Sequence, residues 1–338
     1  MTREHCQREE LRGVAIATLR SQRRPWWRAL IIALALVSAS PTFSQNYPTK
    51  PIRIVTSVTG GGLDLTARVI APKLAETLGQ QVIVDNRGGV ISMELVAKAP
   101  ADGYTLLLAS SGLWLSHLLR ENVAWDVKDY APITLLVSSP NIVAVHPSLP
   151  ARSIKELIGL VKAKPGELNY SSGQSGASSH LAGELFKTMA GVNMVRIGYK
   201  GQGPALLALV TGEAQLSFGN AASSMPYVKG GKIRGLAVTS AQPSALAPGL
   251  PTVAASGLPG YESKATLAMF APAKTPLSII EQLNAQIVRT LNSSDVKQRL
   301  FDSGAEVIAG SPSELAAAMK SEMEAIGKVV KQAGIRAD

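Results

Sequence analysis

The sequence predicts an α/β protein of two lobes, and three observations carry that prediction. Short apolar runs alternate with helix-period patterns from residue 52 to the end of the chain. Two extended apolar stretches, 138–148 and 260–272, each have proline close by and read as crossings from one lobe to the other. At 338 residues the chain is long enough to bury two cores. A chain that crosses twice divides into a discontinuous first lobe, 45–141 with 272–338, and a continuous second lobe, 142–271, with a ligand cleft between them.

In chain order the expected strands are 52–56, 81–85, 105–109, 133–137, 142–146, 169–171, 194–198, 216–218, 236–239, 267–271 and 306–308. The expected helices are 63–78, 92–99, 153–163, 178–189, 204–211, 225–229, 276–292, 294–303 and 312–332. Strand–helix alternation at this spacing argues for largely parallel sheets. Ser153 followed by Glu156 has capping-box spacing. Thr275-Pro276 and Ser311-Pro312 each put a hydroxyl cap before a proline at the first helical position. Pro72 lies inside the first helix pattern, where the lost N–H and ring clash predict a kink.

The first 44 residues read as a leader. Arg20, Arg23, Arg24 and Arg28 form a basic region, the nine residues 29–37 are apolar, and 38–44 are small and polar. That order is a secretory signal peptide, too short in its apolar part to span a bilayer, with cleavage expected after Ser44. The leader holds seven Arg and three Glu, which leaves 27 basic and 21 acidic residues, a net charge of +6 in place of +10. The charges are scattered, with no basic run and no basic–aromatic interleaving, so nucleic acid is not an expected partner. Cys6, the sole cysteine, falls in the leader, which excludes a disulfide, a thiolate metal site or a cysteine nucleophile from the mature chain. His117, His146 and His180 have no metal-ligand spacing, and neither a metal nor a cofactor is expected.

Two turns carry the chemistry. Gly60-Gly61-Gly62, between a strand and a helix, leaves backbone amides uncovered at the positive end of a helix dipole, a natural anion seat. Tyr199-Lys200-Gly201-Gln202-Gly203-Pro204 repeats the arrangement far along the chain and adds a lysine charge. Neither this turn nor Gly230-Gly231-Lys232-Ile233 has a P-loop ending, so nucleotide hydrolysis is not indicated. A third stretch, 170–180, carries hydroxyls able to donate to a carboxylate, and Ser178 or Ser179 can also cap the following helix. Its Gly173-Gln174-Ser175-Gly176-Ala177 resembles a nucleophile elbow only loosely, with Ala in place of the last glycine.

Together these stretches resemble the Bug-type, or tripartite tricarboxylate transporter receptor, family of periplasmic solute-binding proteins. The matching text runs through Tyr47-Pro48-Thr49-Lys50-Pro51-Ile52-Arg53-Ile54-Val55, Val84-Asp85-Asn86-Arg87 and Ala97-Lys98-Ala99-Pro100-Ala101-Asp102-Gly103-Tyr104. It continues in His180-Leu181-Ala182-Gly183-Glu184, Tyr199-Lys200-Gly201, Leu236-Ala237-Val238-Thr239-Ser240 and Pro251-Thr252-Val253. The resemblance implies a type II-like periplasmic binding fold that closes on a small carboxylate. One carboxylate group would be held between the two turns, largely by backbone amides and ordered waters.

Carried over by that resemblance, the ligand-binding residues are Val58, Thr59, Gly60, Gly61 and Gly62, with Ser110 and Ser111 at a strand end in the same lobe. In the second lobe they are Gln174, Ser175, Ser178, Lys200, Gly201, Gln202, Gly203 and Asn220. Asp64 is assigned to the helix start, where a carboxylate suits the dipole. Three departures stand out: Thr59 replaces the usual proline, the glycine-rich loop after Arg87 is about three residues short, and Gly219 replaces the usual Asp of Phe-Asp-Asn. Loss of that Asp removes a counter-charge for an ammonium and predicts a carboxylate ligand without an amino group.

The expected function is therefore an extracytoplasmic, monomeric receptor, not an enzyme, that delivers a small organic carboxylate to a two-subunit membrane transporter. A module signalling to the periplasmic domain of a sensor kinase is the alternative. A serine hydrolase built on Ser175 and His180 lacks a complete motif.

Overall fold

A computed structural model of the chain describes residues 47–57, 59, 60 and 62–335, so the leader with its cleavage site, Val58 and Gly61 lie outside the described residues. The described fold belongs to a unit that begins at Pro48. Its strands are β1 (Ile52–Thr56), β2 (Val82–Asn86), β3 (Thr105–Ser110), β4 (Tyr130–Val145), β5 (Asn169–Ser172), β6 (Val195–Gly198), β7 (Leu216–Asn220), β8 (Arg234–Val238), β9 (Lys264–Pro272) and β10 (Glu306–Val307). Its helices are α1 (Gly62–Leu78), α2 (Gly89–Ala97), α3 (Gly112–Leu119), α4 (Ile154–Ala163), α5 (Ser178–Ala190), α6 (Gln202–Val210), α7 (Ala221–Lys229), α8 (Leu277–Leu291), α9 (Ser294–Asp302) and α10 (Pro312–Ala333).

The strands form one curled ten-stranded sheet in the order β2-β1-β3-β9-β4-β7-β5-β6, with β8 and β10 also paired to β4. Where sequence predicts two strands, 133–137 and 142–146, the chain makes a single 16-residue β4. From Tyr130 to Pro140 it pairs β9, and from Asn141 to Val145 it pairs β7 and β8. Register shifts at Pro132/Thr134 and Leu135/Val137 mark irregularities that let a long strand bend. Sheet direction differs from the expectation. Parallel pairs occupy the flanks (β1 with β2 and β3, β5 with β6 and β7), while every pairing of β4 and β9 is antiparallel. The crossing strands cause this, since they enter each flank against its own direction.

The flanks are built as a parallel sheet demands, with helices on the faces and near-continuous apolar strands. Leu106, Leu107 and Leu108 of β3 are all buried, as are Leu216 and Phe218 of β7. Phe218 stacks edge-on against Tyr170 and tilts onto Phe186 of α5, and Trp114 and Tyr130 meet Phe270 of β9. Helix α1 runs through Pro72 as one element, without restarting there.

Several ends depart from expectation for local reasons. Helix α3 was not expected: its sequence is apolar nearly all round and so shows no 3.6-residue stripe, yet it buries Leu113, Trp114, Leu115 and Leu119. Helix α2 starts at Gly89, earlier than expected, so the short loop after Arg87 passes directly into a helix, with Ser92 N donating to Gly88 O. Helix α7 starts at Ala221 because Asn220 caps it through Oδ1. Thr275 does not cap α8. Pro276 occupies the N-cap position and Thr275 Oγ1 is buried without a partner. Ser311 and Glu314 do form the full capping box of α10. Ser153 caps α4 through Glu156 N, but the Glu156 carboxylate accepts from Arg152 N.

Candidate functional site

In a parallel flank the carboxyl ends of all strands open on one edge, which is where open α/β sheets bind ligands. On the first flank β1 and β3 are direct neighbours, so the corner at Thr59 and Gly60 lies beside the corner at Ser110 and Ser111. Gly60 has φ +87°, a conformation that needs glycine. Neither Gly60 nor Gly62 has an atom within 4 Å of where a Cβ would project, so this turn is open.

The turn is anchored from below by Asp64, which is 3% exposed. Its Oδ2 accepts Gly60 N–H at 2.9 Å, and its Oδ1 accepts Arg68 Nε and Asn86 Nδ2, each at 2.8 Å. Asn86 Nδ2 also donates to Ser57 O, and Arg68 Nη2 donates to Asn86 Oδ1. The Gly60 amide, with Asn86 and Arg68, holds the Asp64 carboxyl below its ordinary range in spite of its burial. Asp64 thus sits at the helix start as expected. The amide of Gly60 is committed inward, which leaves the other donors of the turn and the dipole of α1 for an anion.

On the second flank the edge collects the ends of β5, β6 and β7. Ser172 is in register with Gly198, and Asn141 of the crossing strand is opposite Asn220. The loop after β5 is bound from three sides. Ser179 Oγ accepts from Gly173 N and His180 Nδ1 accepts from Gly176 N. Arg196 donates Nε to Ser172 Oγ, Nη2 to Gly173 O and Nη1 to Ser175 Oγ at 3.2 Å. Helix α5 is preceded by Ala177 with no side-chain cap, so neither Ser178 nor Ser179 caps it. His180 is buried, which lowers its pKa to about 4, with Arg196 adding to the effect. It is a neutral imidazole whose Nδ1 is taken, and the Ser175 hydroxyl is held by Arg196. No nucleophile–base pair is assembled here.

A cavity of about 480 Å³ opens beside this loop, lined by Arg120, Arg196 and Lys200 with Gln174, Ser175 and the backbone of 198–199. It brings together three of the residues expected from sequence (Gln174, Ser175 and Lys200) and adds two arginines that sequence reasoning missed. The placement of Arg196 inside a short strand two residues before Gly198 could have signalled it. Arg120 follows an apolar helix and carries no such mark. Ser110, Ser111, Thr59, Gly60 and Gly62 are not among its lining residues. The lining carries three cationic side chains and no acidic one.

Helix α6 begins at Gln202, with Gly201 extended (φ 178°) and Gly203 open. Pro204 stands at the third helical position, where the helix has no use for its N–H. Behind this turn a Cβ on Gly219 would lie 2.5 Å from Ser224 Oγ and 2.9 Å from Gln202 Nε2. Both of those atoms are buried and without a hydrogen-bond partner. Asn220 has both ends of its amide engaged: Oδ1 accepts from Ala222 N, and Nδ2 donates to Ser139 Oγ at 2.6 Å, which in turn donates to Gly304 O. Asn141, beside it on the crossing strand, is fully buried with neither amide atom bonded. That asparagine, set in an otherwise apolar run, is a further candidate the sequence did not single out. Among the described residues no group of three His, Cys, Asp or Glu side chains could hold a metal ion, and no helix is long and apolar enough to cross a membrane.

Residues 66–335 match the family described as "Tripartite tricarboxylate transporter family receptor". Among curated relatives, the "UPF0065 protein in tcbD-tcbE intergenic region" of Pseudomonas sp. (strain P51) is 35% identical, covering 91% of this chain and 94% of that protein. "Protein BugT" of Bordetella pertussis is 34% identical over 91% of this chain and 96% of its own length. Among solved structures, "R. palustris Rpa4515 with adipate" is 36% identical, with a TM-score of 0.71 over 86% of this chain and 99% of its own. "MatC (Rpa3494) from Rhodopseudomonas palustris with bound malate" is 29% identical, with a TM-score of 0.67 over 84% and 100%. The periplasmic binding protein BugD is 31% identical with a TM-score of 0.68, covering 86% of this chain and all of BugD. These receptors are periplasmic solute-binding proteins of a two-lobed α/β fold, and not enzymes. The chain belongs to the tripartite tricarboxylate transporter receptor family.

Proposed function

We propose that this receptor captures a small dicarboxylate without an amino group and closes its two lobes on it. Delivery is to a two-subunit, tripartite-type membrane transporter, with the receptor acting as a monomer after leader cleavage near Ser44. The observation that carries the reading is the cavity framed by Arg120, Arg196 and Lys200 at the carboxyl ends of the second flank. One carboxylate is assigned to the two turns, through Val58, Thr59, Gly60, Gly61, Gly62, Ser110 and Ser111 on one side and Lys200, Gly201, Gln202 and Gly203 on the other. Gln174, Ser175, Ser178 and Asn220 complete the second wall, and the arginines add charge-assisted hydrogen bonds of roughly 1.5–3 kcal/mol each.

The lobes are taken as 45–141 with 272–338, and 142–271. Supporting that division, β4 changes partners between Pro140 and Asn141. Two related structures hold adipate and malate, neither of which carries an amino group. Gly219 offers no counter-charge for an ammonium. Closure requires that the ligand bind the closed form more tightly than the open one. Calorimetry on the mature chain should give tighter binding for adipate- or malate-like acids than for aspartate or glutamate, and X-ray scattering should show compaction with the tight ligand. Preferential binding of the amino acids, or saturation without compaction, overturns the proposal.

A further inference from the structure

A second cavity, of about 650 Å³, lies where α10 meets α5 and the start of β9. It shares no lining residue with the cavity at Arg196 and Lys200. Trp114, Leu135, Leu185, Met189, Ile326 and Val329 give it an apolar side, and hydroxyl, amide and charged side chains of α10 and the 262–266 segment complete the lining. One carboxyl is set against the apolar side. Glu322 of α10 accepts a hydrogen bond from the neutral Trp114 Nε1 at 2.9 Å through Oε2, and on the rim Glu262 pairs with Lys264 at 2.7 Å.

We propose that this cavity is a second ligand site, for a small apolar molecule bearing one protonated amine, with Glu322 as its counter-ion. The volume falls in the range of small-molecule sites, roughly 300–1,000 Å³, and an apolar side set against a polar one suits a ligand with an apolar body and one polar end. The sign of the ligand follows from the charges that face Glu322. From the first residue of β9 there is Lys264, already paired with Glu262, and from the segment before it Glu262 itself. From α10 there is Lys328, which is exposed, and from α3 only the neutral indole N–H. α5 presents Leu185, Thr188 and Met189, and no charge. Burial raises the Glu322 carboxyl to about 7, with Trp114 and Lys264 opposing and Glu262 adding. At pH 7 an empty site therefore holds this carboxyl about half protonated, and an arriving ammonium restores the carboxylate with release of that proton. An anionic ligand would meet Glu322 and Glu262, and a neutral one would gain the walls alone.

The probe is phenethylammonium, with phenylacetate and phenethyl alcohol as its anionic and neutral counterparts, titrated calorimetrically into the mature chain at pH 7 in two buffers of different ionisation enthalpy. Saturable binding of the amine is expected, tighter than either counterpart, with release of about half a proton per site. Glu322→Gln keeps an acceptor for Trp114 and should weaken the amine by about tenfold or more while leaving phenethyl alcohol unchanged. Ala325→Phe, one turn along α10 from Glu322, puts a ring into the cavity and should remove binding of both. No saturable amine binding, equal affinity in Glu322→Gln, or binding that survives Ala325→Phe overturns the assignment.

Discussion

At residue 219 the chain carries no side chain, and its neighbours have moved into the space. With Ser224 Oγ and Gln202 Nε2 at 2.5 and 2.9 Å from where a Cβ would lie, Gly219→Ala forces one of them or the strand aside. Overpacking of this kind costs about 1–3 kcal/mol, to be read as a lower urea midpoint at unchanged slope. Gly219→Asp meets the same overlap but supplies an acceptor to two donors that now lack one. It also places a negative charge directly behind the turn at Lys200. Dicarboxylate affinity should then fall by about tenfold or more, about 1.4 kcal/mol or greater. Unchanged affinity in that variant would detach Gly219 from specificity. The departure itself was visible in the sequence. The orphaned Gln202 and Ser224 were not, because which side chains fill the space over a glycine is decided by α6 and α7, which lie within twenty residues of each other but pack from different directions.

At the scale of elements, the corner between β1 and α1 shows how a turn is held open for an anion. Asp64 gathers Gly60, Asn86 and Arg68, and so ties β1, β2 and α1 together beneath the glycines. Asp64→Asn removes the charge that orders these donors and should destabilise the chain at pH 7. The folded pKa of Asp64 lies below its ordinary value, so its contribution is present above about 3.8 and is lost as pH falls through the lower folded value. The gap between variant and wild type in urea unfolding should therefore close in acid, and a gap that persists unchanged there would assign the effect to shape and not to charge. The role of Asp64 was legible because helix starts prefer acids. The elements themselves were legible where they obey one period, as in β1, α1 and α10. Helix α3 escaped because a helix apolar on every side has no stripe to read. β4 was divided in two because 138–148 reads as a crossing between lobes, and pairing with β9 carries the strand through it as far as Pro140. Arg120 follows α3 and Asn141 lies in β4, so missing the elements meant missing the residues.

For the whole molecule, two groups with shifted titration, His180 near the start of α5 and Glu322 beside the end of that helix, set opposing pH dependences. His180, in the second flank, has a folded pKa of about 4 against 6.5 when free. The unfolded chain takes its proton first, so the stability His180 contributes is complete above 6.5 and is lost as pH falls toward 4. Glu322, between α10 and the start of β9, has a folded pKa of about 7 against 4.5. The folded chain keeps this proton longer, so its contribution is complete below 4.5 and is lost as pH rises through 7. Each is worth up to about 3 kcal/mol, and between 4.5 and 6.5 the slopes have opposite sign and similar size. Urea unfolding of the wild type across that window should show little net slope from the pair. Glu322→Gln exposes the histidine term, and its stability should rise with pH by up to about 3 kcal/mol relative to wild type over the same window. His180→Asn, whose amide oxygen can still accept from Gly176 N, should fall by a similar amount as pH rises. Curves for the two variants that run parallel to the wild type would mean that neither group keeps its folded environment in solution. That would remove the carboxyl environment on which the amine site depends, and with it the Gly176–His180 contact that holds the loop beside the other cavity.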